Sequence, residues 1–262
     1  MDLGLKDKRA LVLASSRGIG YGIAEALAAE GARLVMCARQ ADAIAEAAGK
    51  LEAVHGVSTL GVRCDLSDPD QVDTLADTAM AQMGGVDILI GNYGGPPPGP
   101  ISQVKLEDWP GHFQTMFLSI VGLTHRVLRP MRERGWGRIL LVASSGVKQP
   151  IPHLGISNTL RAALLAWAKT LSMEVADDGV TVNAILPGRI RTERTLSLDK
   201  AVAERTGRTH EEVLAESLKA IPAGRQGETT EFGATAAFLA SDQASYITGS
   251  AIPVDGGSIR QM

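Results

Sequence analysis

The chain has 262 residues, 45% hydrophobic and 21% charged, with a net charge of -3. That balance suits a globular protein with a sizeable core, and a single α/β domain over 1–262 accounts for the length. It removes the electrostatic basis for binding nucleic acid or an anionic membrane, and no run of about 18 apolar residues offers a membrane span.

MDLGLKDKRA at the N-terminus has no basic region followed by a long apolar run. No signal peptide is therefore expected, and the expected compartment is the cytoplasm. The first candidate strand, RALVLA (9–14), leads through ASSRGIG (14–20) directly into a helical stretch at 19–30. Glycines at 18 and 20 allow a pyrophosphate to approach the turn closely, and the unpaired amides of the helix end can bind that anion. Ala14, Ser16, Arg17, Gly18, Ile19 and Gly20 are thus the expected lining of a dinucleotide site; the competing reading is a glycine turn that serves packing alone. The second strand, RLVMCA (33–38), is followed by Arg39. NAD sites usually carry Asp or Glu there, to accept from the ribose 2′-hydroxyl. Arg39, with Arg17 in the glycine turn, favours a 2′-phosphate and hence NADP.

Further apolar runs follow: TLGVRC (59–64), VDILIG (86–91), GRILLVA (137–143), VTVNAIL (180–186) and AIPV (251–254). They are nearly continuous, as strands covered on both faces are. Helical stretches at 68–83, 104–134 and 154–176 lie between them. The alternation predicts βαβ units and a doubly wound, mostly parallel sheet of about seven strands with helices on both faces, of Rossmann type. Cys37 and Cys64 sit in apolar runs and are expected to be buried free thiols. GGPPPGP (94–100) reads as a stiff local turn. In 154–176, Leu160, Leu164, Trp167, Ala168 and Leu171 form an apolar stripe for the sheet or a partner subunit. Segment 189–223 breaks the rhythm: it is charged, lacks a strand and carries one helical run, HEEVLAESLKAI. An insertion of this kind after a strand's C-terminal end is expected to form a substrate lid. Its Arg189, Arg191 and Arg194 suit either an anionic group or a solvated face. His55, His112, His125 and His210 have no metal-ligand spacing, so no metal site is expected.

These motifs, in this order, resemble the short-chain dehydrogenase/reductase family over nearly the whole chain, with the 3-oxoacyl carrier-protein reductases close in pattern. The family's TGxxxGxG turn is matched at Gly18-Ile19-Gly20, with Leu13-Ala14 in place of its leading Thr-Gly. The resemblance implies that Asp65 and Leu66 of CDLSD lie by the adenine. NYGG (92–95) stands at the family's NNAG turn, placing Asn92 and Gly94 beside the cofactor, with Tyr93 in place of the second Asn. NAILPGRIRT (183–192) implies that Pro187, Gly188, Ile190 and Thr192 embrace the nicotinamide end. A homotetramer built on helix–helix interfaces is also implied.

The family's catalytic set is a serine, a tyrosine thirteen residues later, a lysine four beyond that, and an asparagine in the preceding long helix. Ser144 keeps the serine position, but Ser157 stands for tyrosine, Arg161 for lysine and Met116 for asparagine. Ser157 and Arg161 still share one helix face. Arg161 can donate to the cofactor ribose and supply positive charge but cannot relay a proton. Ser157 is a far weaker acid than a phenol of pKa about 10. Lys148 is the first candidate for a replacement acid, on the loop expected over the nicotinamide. His153 and Tyr93 are weaker ones, Tyr93 being expected near the adenine-side ribose. The main reading is an NADP(H)-dependent oxidoreductase acting on a small carbonyl/alcohol substrate, with 3-oxoacyl compounds among the candidates, or on an imine, with a non-standard catalytic set. The alternatives are a non-catalytic NADP-binding sensor or assembly partner, and a fold adapted to dehydration or hydrolysis.

Overall fold

The computed structural model describes residues 2–260. Its seven strands form one sheet: β1 (Arg9–Val12), β2 (Arg33–Ala38), β3 (Thr59–Arg63), β4 (Ile88–Gly91), β5 (Gly137–Val142), β6 (Val180–Pro187) and β7 (Ala251–Val254). They lie in the order β3-β2-β1-β4-β5-β6-β7, every pair parallel. The order reverses between β1 and β4, which opens a crevice at their C-terminal ends.

Strand alternation assigns residues to two cores. Leu11, Leu13, Val35, Cys37 and Leu89 face one side, and Ala10, Val12, Leu34, Met36 and Ile88 the other. The first side is covered by α3 (Pro69–Met83), α5 (Ser119–Arg134) and α6 (Gly155–Val175). The second is covered by α1 (Gly18–Ala29), α2 (Ala41–His55) and α9 (Thr229–Leu239). Both faces being dry explains why the strands read as unbroken apolar runs rather than alternating ones. Cys37 and Cys64 are free and buried. In α6 the stripe is buried at Leu160, Leu164, Ala168 and Leu171, while Trp167 packs half-buried against it. Among the described residues, no helix is long and apolar enough to cross a membrane, and no cluster of three or more His, Cys, Asp or Glu could hold a metal ion.

Two stretches differ from the sequence expectation. Residues 104–134 are not one helix. A short 3-10 turn (Leu106–Asp108) leads into α4 (Trp109–Phe113), then a π-helical turn (Gln114–Leu118), then α5. Pro110 in the first turn of α4 fixes where that helix starts. Thr115 Oγ1 donates to the Gly111 carbonyl at 2.9 Å and Ser119 Oγ to the Thr115 carbonyl at 2.7 Å. Such back-bonding draws carbonyls out of the regular ladder on either side of the π turn. Segment 189–223 holds two helices rather than one, α7 (Glu193–Thr206) and α8 (His210–Lys219). Thr192 caps α7 by accepting from the Thr195 amide at 3.2 Å, and Thr209 and Glu212 form a capping box on α8.

The crevice strands are also tied at their N-terminal ends. Arg9 Nε and Nη2 donate to both oxygens of Asp87, at 2.7 and 2.5 Å, and the Arg9 amide donates to the same carboxylate at 3.0 Å. Burial pushes the Asp87 carboxyl up. The Arg9 hydrogen bonds, with the charges of Arg9 and Arg134, outweigh it and hold the group below the usual carboxylate range. A depressed carboxylate stabilises the fold above its unfolded value, about 3.9, and that contribution disappears as pH falls through the folded value. Asp87→Asn is expected to lower stability to urea at pH 7 by about 2 kcal/mol, the usual size for hydrogen bonds to a charged group. The gap to the wild type is expected to shrink below about pH 4. An undiminished gap at pH 3 would assign the loss to packing instead.

Candidate active site

The crevice floor is the turn from β1 to α1. Its path is set by close approach: a Cβ on Gly20 would stand 2.4 Å from the Ala14 carbonyl oxygen and 2.7 Å from Asn92 Nδ2. That same Asn92 amide donates to the carbonyls of Leu13 (3.3 Å) and Ala14 (3.1 Å), so the end of β4 clamps the turn leaving β1. Ser15 Oγ donates to the Val12 carbonyl at 2.8 Å. Ala14 takes a left-handed backbone, φ +46°, at the position where the family pattern has glycine. Gly18 also has positive φ, and the nearest atom to a Cβ there would be Thr192 Cγ2, at 3.6 Å. Helix α1 has no side-chain cap and no acid in its first turn. Its first amides therefore remain available to an anion, and the bare glycine face gives that anion room. The turn fits a dinucleotide pyrophosphate.

The crevice continues over the ends of β2 and β3. Arg39 is exposed after β2. Asp65 accepts from the Ser67 amide at 3.0 Å and the Ser67 hydroxyl at 2.8 Å. These bonds, led by the amide and joined by the charges of Arg39 and Arg63, hold its carboxyl below the usual range. Nothing in the sequence pattern singles out Arg63. The parallel register explains its presence: Arg63 is the direct partner of Ala38, one residue before Arg39. Arg17 does not stand free as expected, but pairs with Glu193 on α7 at 2.5 Å, both side chains about 70% exposed. A pair so exposed contributes at most about 1 kcal/mol, so an arriving phosphate can displace it. Leu66 is buried in the core.

The opposite wall comes from β6. Pro187 ends the strand. Gly188 passes so close to β7's end that a Cβ would stand 2.5 Å from Asp255 Cα. Ile190 is buried and bridged to Gly227, and Thr192 reaches back to Gly18. A Cβ on Gly94 would meet nothing within 4 Å, so the turn after β4 leaves open space.

At the catalytic address Ser157 is buried, and its Oγ accepts from Arg161 Nε at 3.1 Å. Arg161 Nη1 donates to the Val142 carbonyl at 2.7 Å and to that of Ala143. The guanidinium thus closes off the C-terminal end of β5. Its carbon stands 4.6 Å from the centroid of the Tyr93 ring, a cation–π distance. Tyr93 therefore lies under Arg161, not at the adenine-side ribose: the turn after β4 aims the ring into the core beside α6. Its hydroxyl is buried without a hydrogen-bond partner among the described residues. Burial pushes the phenol up, and the Arg161 charge offsets that only in part. Met116 is buried in the π turn. Ser144 Oγ accepts from the Gly146 amide at 3.0 Å, which leaves its own proton free to donate. Lys148 and His153 are exposed on the loop between β5 and α6. His153 has φ +62°, and its carbonyl accepts from the Gly99 amide at 2.7 Å. The structure thus unites Ser157, Arg161 and Tyr93, and leaves Lys148 and His153 outside that cluster.

A family model described as enoyl-(acyl carrier protein) reductase matches residues 13–258. The 3-oxoacyl-[acyl-carrier-protein] reductase FabG of Salmonella typhimurium is 34% identical over 257 residues, covering 97% of this chain and 98% of that protein. Dehydrogenase/reductase SDR family member 4 of Bos taurus is 36% identical over 260 residues, 98% of this chain and 89% of that protein. Among solved structures, L-sorbose reductase from Gluconobacter frateurii, complexed with NADPH and L-sorbose, superposes with a TM-score of 0.95 at 35% identity, covering 100% of both chains.

The strained Ala14 yields a prediction. A non-glycine residue in the left-handed region costs about 1–2 kcal/mol, and glycine's extra unfolded-state freedom offsets roughly half of that. Ala14→Gly is expected to raise Tm by about 2 °C. A lower Tm in a thermal unfolding scan would mean that the Cβ of Ala14 contributes more by packing than it loses by strain.

Proposed function

The chain belongs to the short-chain dehydrogenase/reductase family of oxidoreductases, and on that premise we propose that it is an NADP(H)-dependent reductase of a carbonyl compound with a catalytic set of its own. The observation that carries this reading is the intact dinucleotide crevice: the clamped glycine turn, the uncapped N-terminus of α1, and Arg39 with Arg63 where an NAD site has an acid. Ala14, Ser16, Arg17, Gly18, Ile19 and Gly20 would hold the pyrophosphate end. Arg39 and Arg63 would hold the 2′-phosphate, Asp65 and Leu66 the adenine. Asn92, Gly94, Pro187, Gly188, Ile190 and Thr192 would hold the nicotinamide end. When bound, NADPH supplies a hydride to the carbonyl carbon.

The chain's own residues then have to hold the oxygen and provide a proton. Ser144 and Ser157 both accept through Oγ, from Gly146 and Arg161, which leaves both hydroxyl protons free to donate to one oxygen. Arg161 adds a fixed positive charge next to the developing alkoxide. Preorganised donors and charge of this kind commonly supply most of an enzyme's rate enhancement. Neither serine is a useful acid at neutral pH, and a guanidinium does not release its proton. Lys148, one turn past Ser144 and free to swing, delivers the proton in this reading. Segment 189–223 acts as the substrate lid. The exposed apolar side chains of Phe113, Leu118 and Met173 are what helix–helix contacts in a homotetramer would cover. Two buried free thiols support a cytoplasmic setting.

The reading is tested by NADPH oxidation over 3-oxoacyl thioesters, oxo acids, ketoses, quinones and imines. Turnover above background is expected with at least one class. NADPH binding without any turnover would favour the sensor reading, which the replacement of Tyr, Lys and Asn by Ser157, Arg161 and Met116 motivates. Lys148→Ala is expected to lower kcat by about 100-fold, the usual scale of general acid help. Lys148→Arg is expected not to restore it, because arginine keeps the charge without releasing the proton. Rescue by arginine would reduce Lys148 to an electrostatic role.

A further inference from the structure

The arginines around the catalytic end of the crevice fall into two groups. Most are neutralised. Arg17 pairs with Glu193 at 2.5 Å, Arg191 with Glu228 at 3.2 Å, and Arg189 with the buried Asp199. Arg39 and Arg63, at the adenine end, lie near Asp65 without an ion pair and are assigned to the cofactor's 2′-phosphate. At the catalytic end Arg161 and Arg194 are the exceptions. Among the described residues, no carboxylate lies within 4.0 Å of either guanidinium.

Arg194 comes from the first turn of α7 and crosses to the turn after β4. Its Nη2 donates to the Pro96 carbonyl at 2.7 Å and would stand 3.3 Å from a Cβ on Gly95. This brings it over the same turn that carries Tyr93, under Arg161. The two cations lie close enough that burial and the Arg161 charge together hold the Arg194 guanidinium below its usual value. On a chain of net charge -3, two neighbouring cations without a counter-carboxylate form a local excess that the fold itself does not neutralise. Both are already held in place, Arg161 by two β5 carbonyls and Ser157, Arg194 by Pro96. An arriving anion would therefore find donors that are already oriented.

Resting on the reductase reading above, we propose that Arg161 and Arg194 form the binding site for a carboxylate on the substrate, so that the enzyme reduces an oxo acid rather than a neutral ketone or sugar. Arg161 has only the two N–H groups of Nη2 left, because Ser157, Val142 and Ala143 take the other three, while Arg194 has spent one of its five on Pro96. Nη2 of Arg161 and the fork of Arg194 can each take one oxygen of a carboxylate. Gly94, with open space at its Cβ position, leaves room for the acid between them.

The test separates binding from turnover. The full-length protein saturated with NADP+ is titrated calorimetrically with 2-oxobutanoate, 3-oxobutanoate and 4-oxopentanoate, with the methyl ester of each, and with inorganic phosphate. At least one acid is expected to bind ten-fold or more tightly than its ester. Arg194→Leu is expected to weaken that acid at least ten-fold, Arg194→Lys less, and both are expected to leave NADPH affinity within two-fold. Equal binding of acid and ester, or no acid binding at all, would overturn the proposal. Loss of NADPH affinity in Arg194→Leu with acid binding intact would overturn it too, by assigning the arginine to the cofactor's pyrophosphate. Phosphate binding that depends on Arg194 while no acid binds would also overturn it. Acid binding that depends on Arg194, with no NADPH oxidation by any acid, would support the carboxylate site while removing the reductase reading on which it was built.

Discussion

The catalytic end of the crevice is organised around one guanidinium. Arg161 projects from α6 and donates to the last carbonyls of β5, to the buried Ser157 hydroxyl, and stacks on Tyr93 from the turn after β4. It thereby ties three elements at the point where a parallel sheet leaves its strand-end carbonyls without partners. A lysine at that position could turn away to a ligand and could lose its proton. A guanidinium engaged on two sides does neither. The charge at the centre of the site is therefore fixed in place, and any chemistry performed there must work around a cation held on two sides.

That constraint extends to the neighbouring residues. Tyr93 replaces a polar residue of the family turn, and its ring serves as the face on which the cation rests. The phenol is deeply buried and its proton is held more tightly than usual, which argues against its acting as the acid. Met116 fills the π turn with an apolar side chain. Ser157, Arg161 and Tyr93 form one contact group.

The cofactor end follows the family pattern closely, and for a mechanical reason. The Asn92 amide grips two carbonyls of the β1 turn, and Gly20 lets that turn lie directly against it. Side chains elsewhere can change without disturbing this clamp. Even Ala14 keeps the left-handed backbone expected of glycine, because the clamp and the Ser15 bond to Val12 over-determine the turn. The C-terminal edge of the sheet thus carries a family-type turn at one end and, at the other, Arg161 over Tyr93 with Arg194 reaching the same turn.

The sequence by itself determined the strands, their parallel arrangement and the dinucleotide turn. Those features depend on local properties: unbroken apolar runs that need cover on both faces, and glycines whose spacing suits a strand–turn–helix. It also located the Ser157–Arg161 pair, since a helix brings residues four apart together. The π turn at Gln114–Leu118 was hidden, because the apolar pattern runs on through it and the bonds that shape it come from hydroxyls. Helix α7 was hidden for the opposite reason. It buries only Asp199 and Ala203, and relies on the Thr192 cap and on the pairing of Asp199 with Arg189. Only the tertiary structure decided that Tyr93 lies under Arg161, that Arg63 joins Arg39, and that Arg194 crosses to Pro96. In each case the partners are brought together by strand register or by chain crossing, and no periodicity along the sequence encodes which distant charge will be left without a counterion.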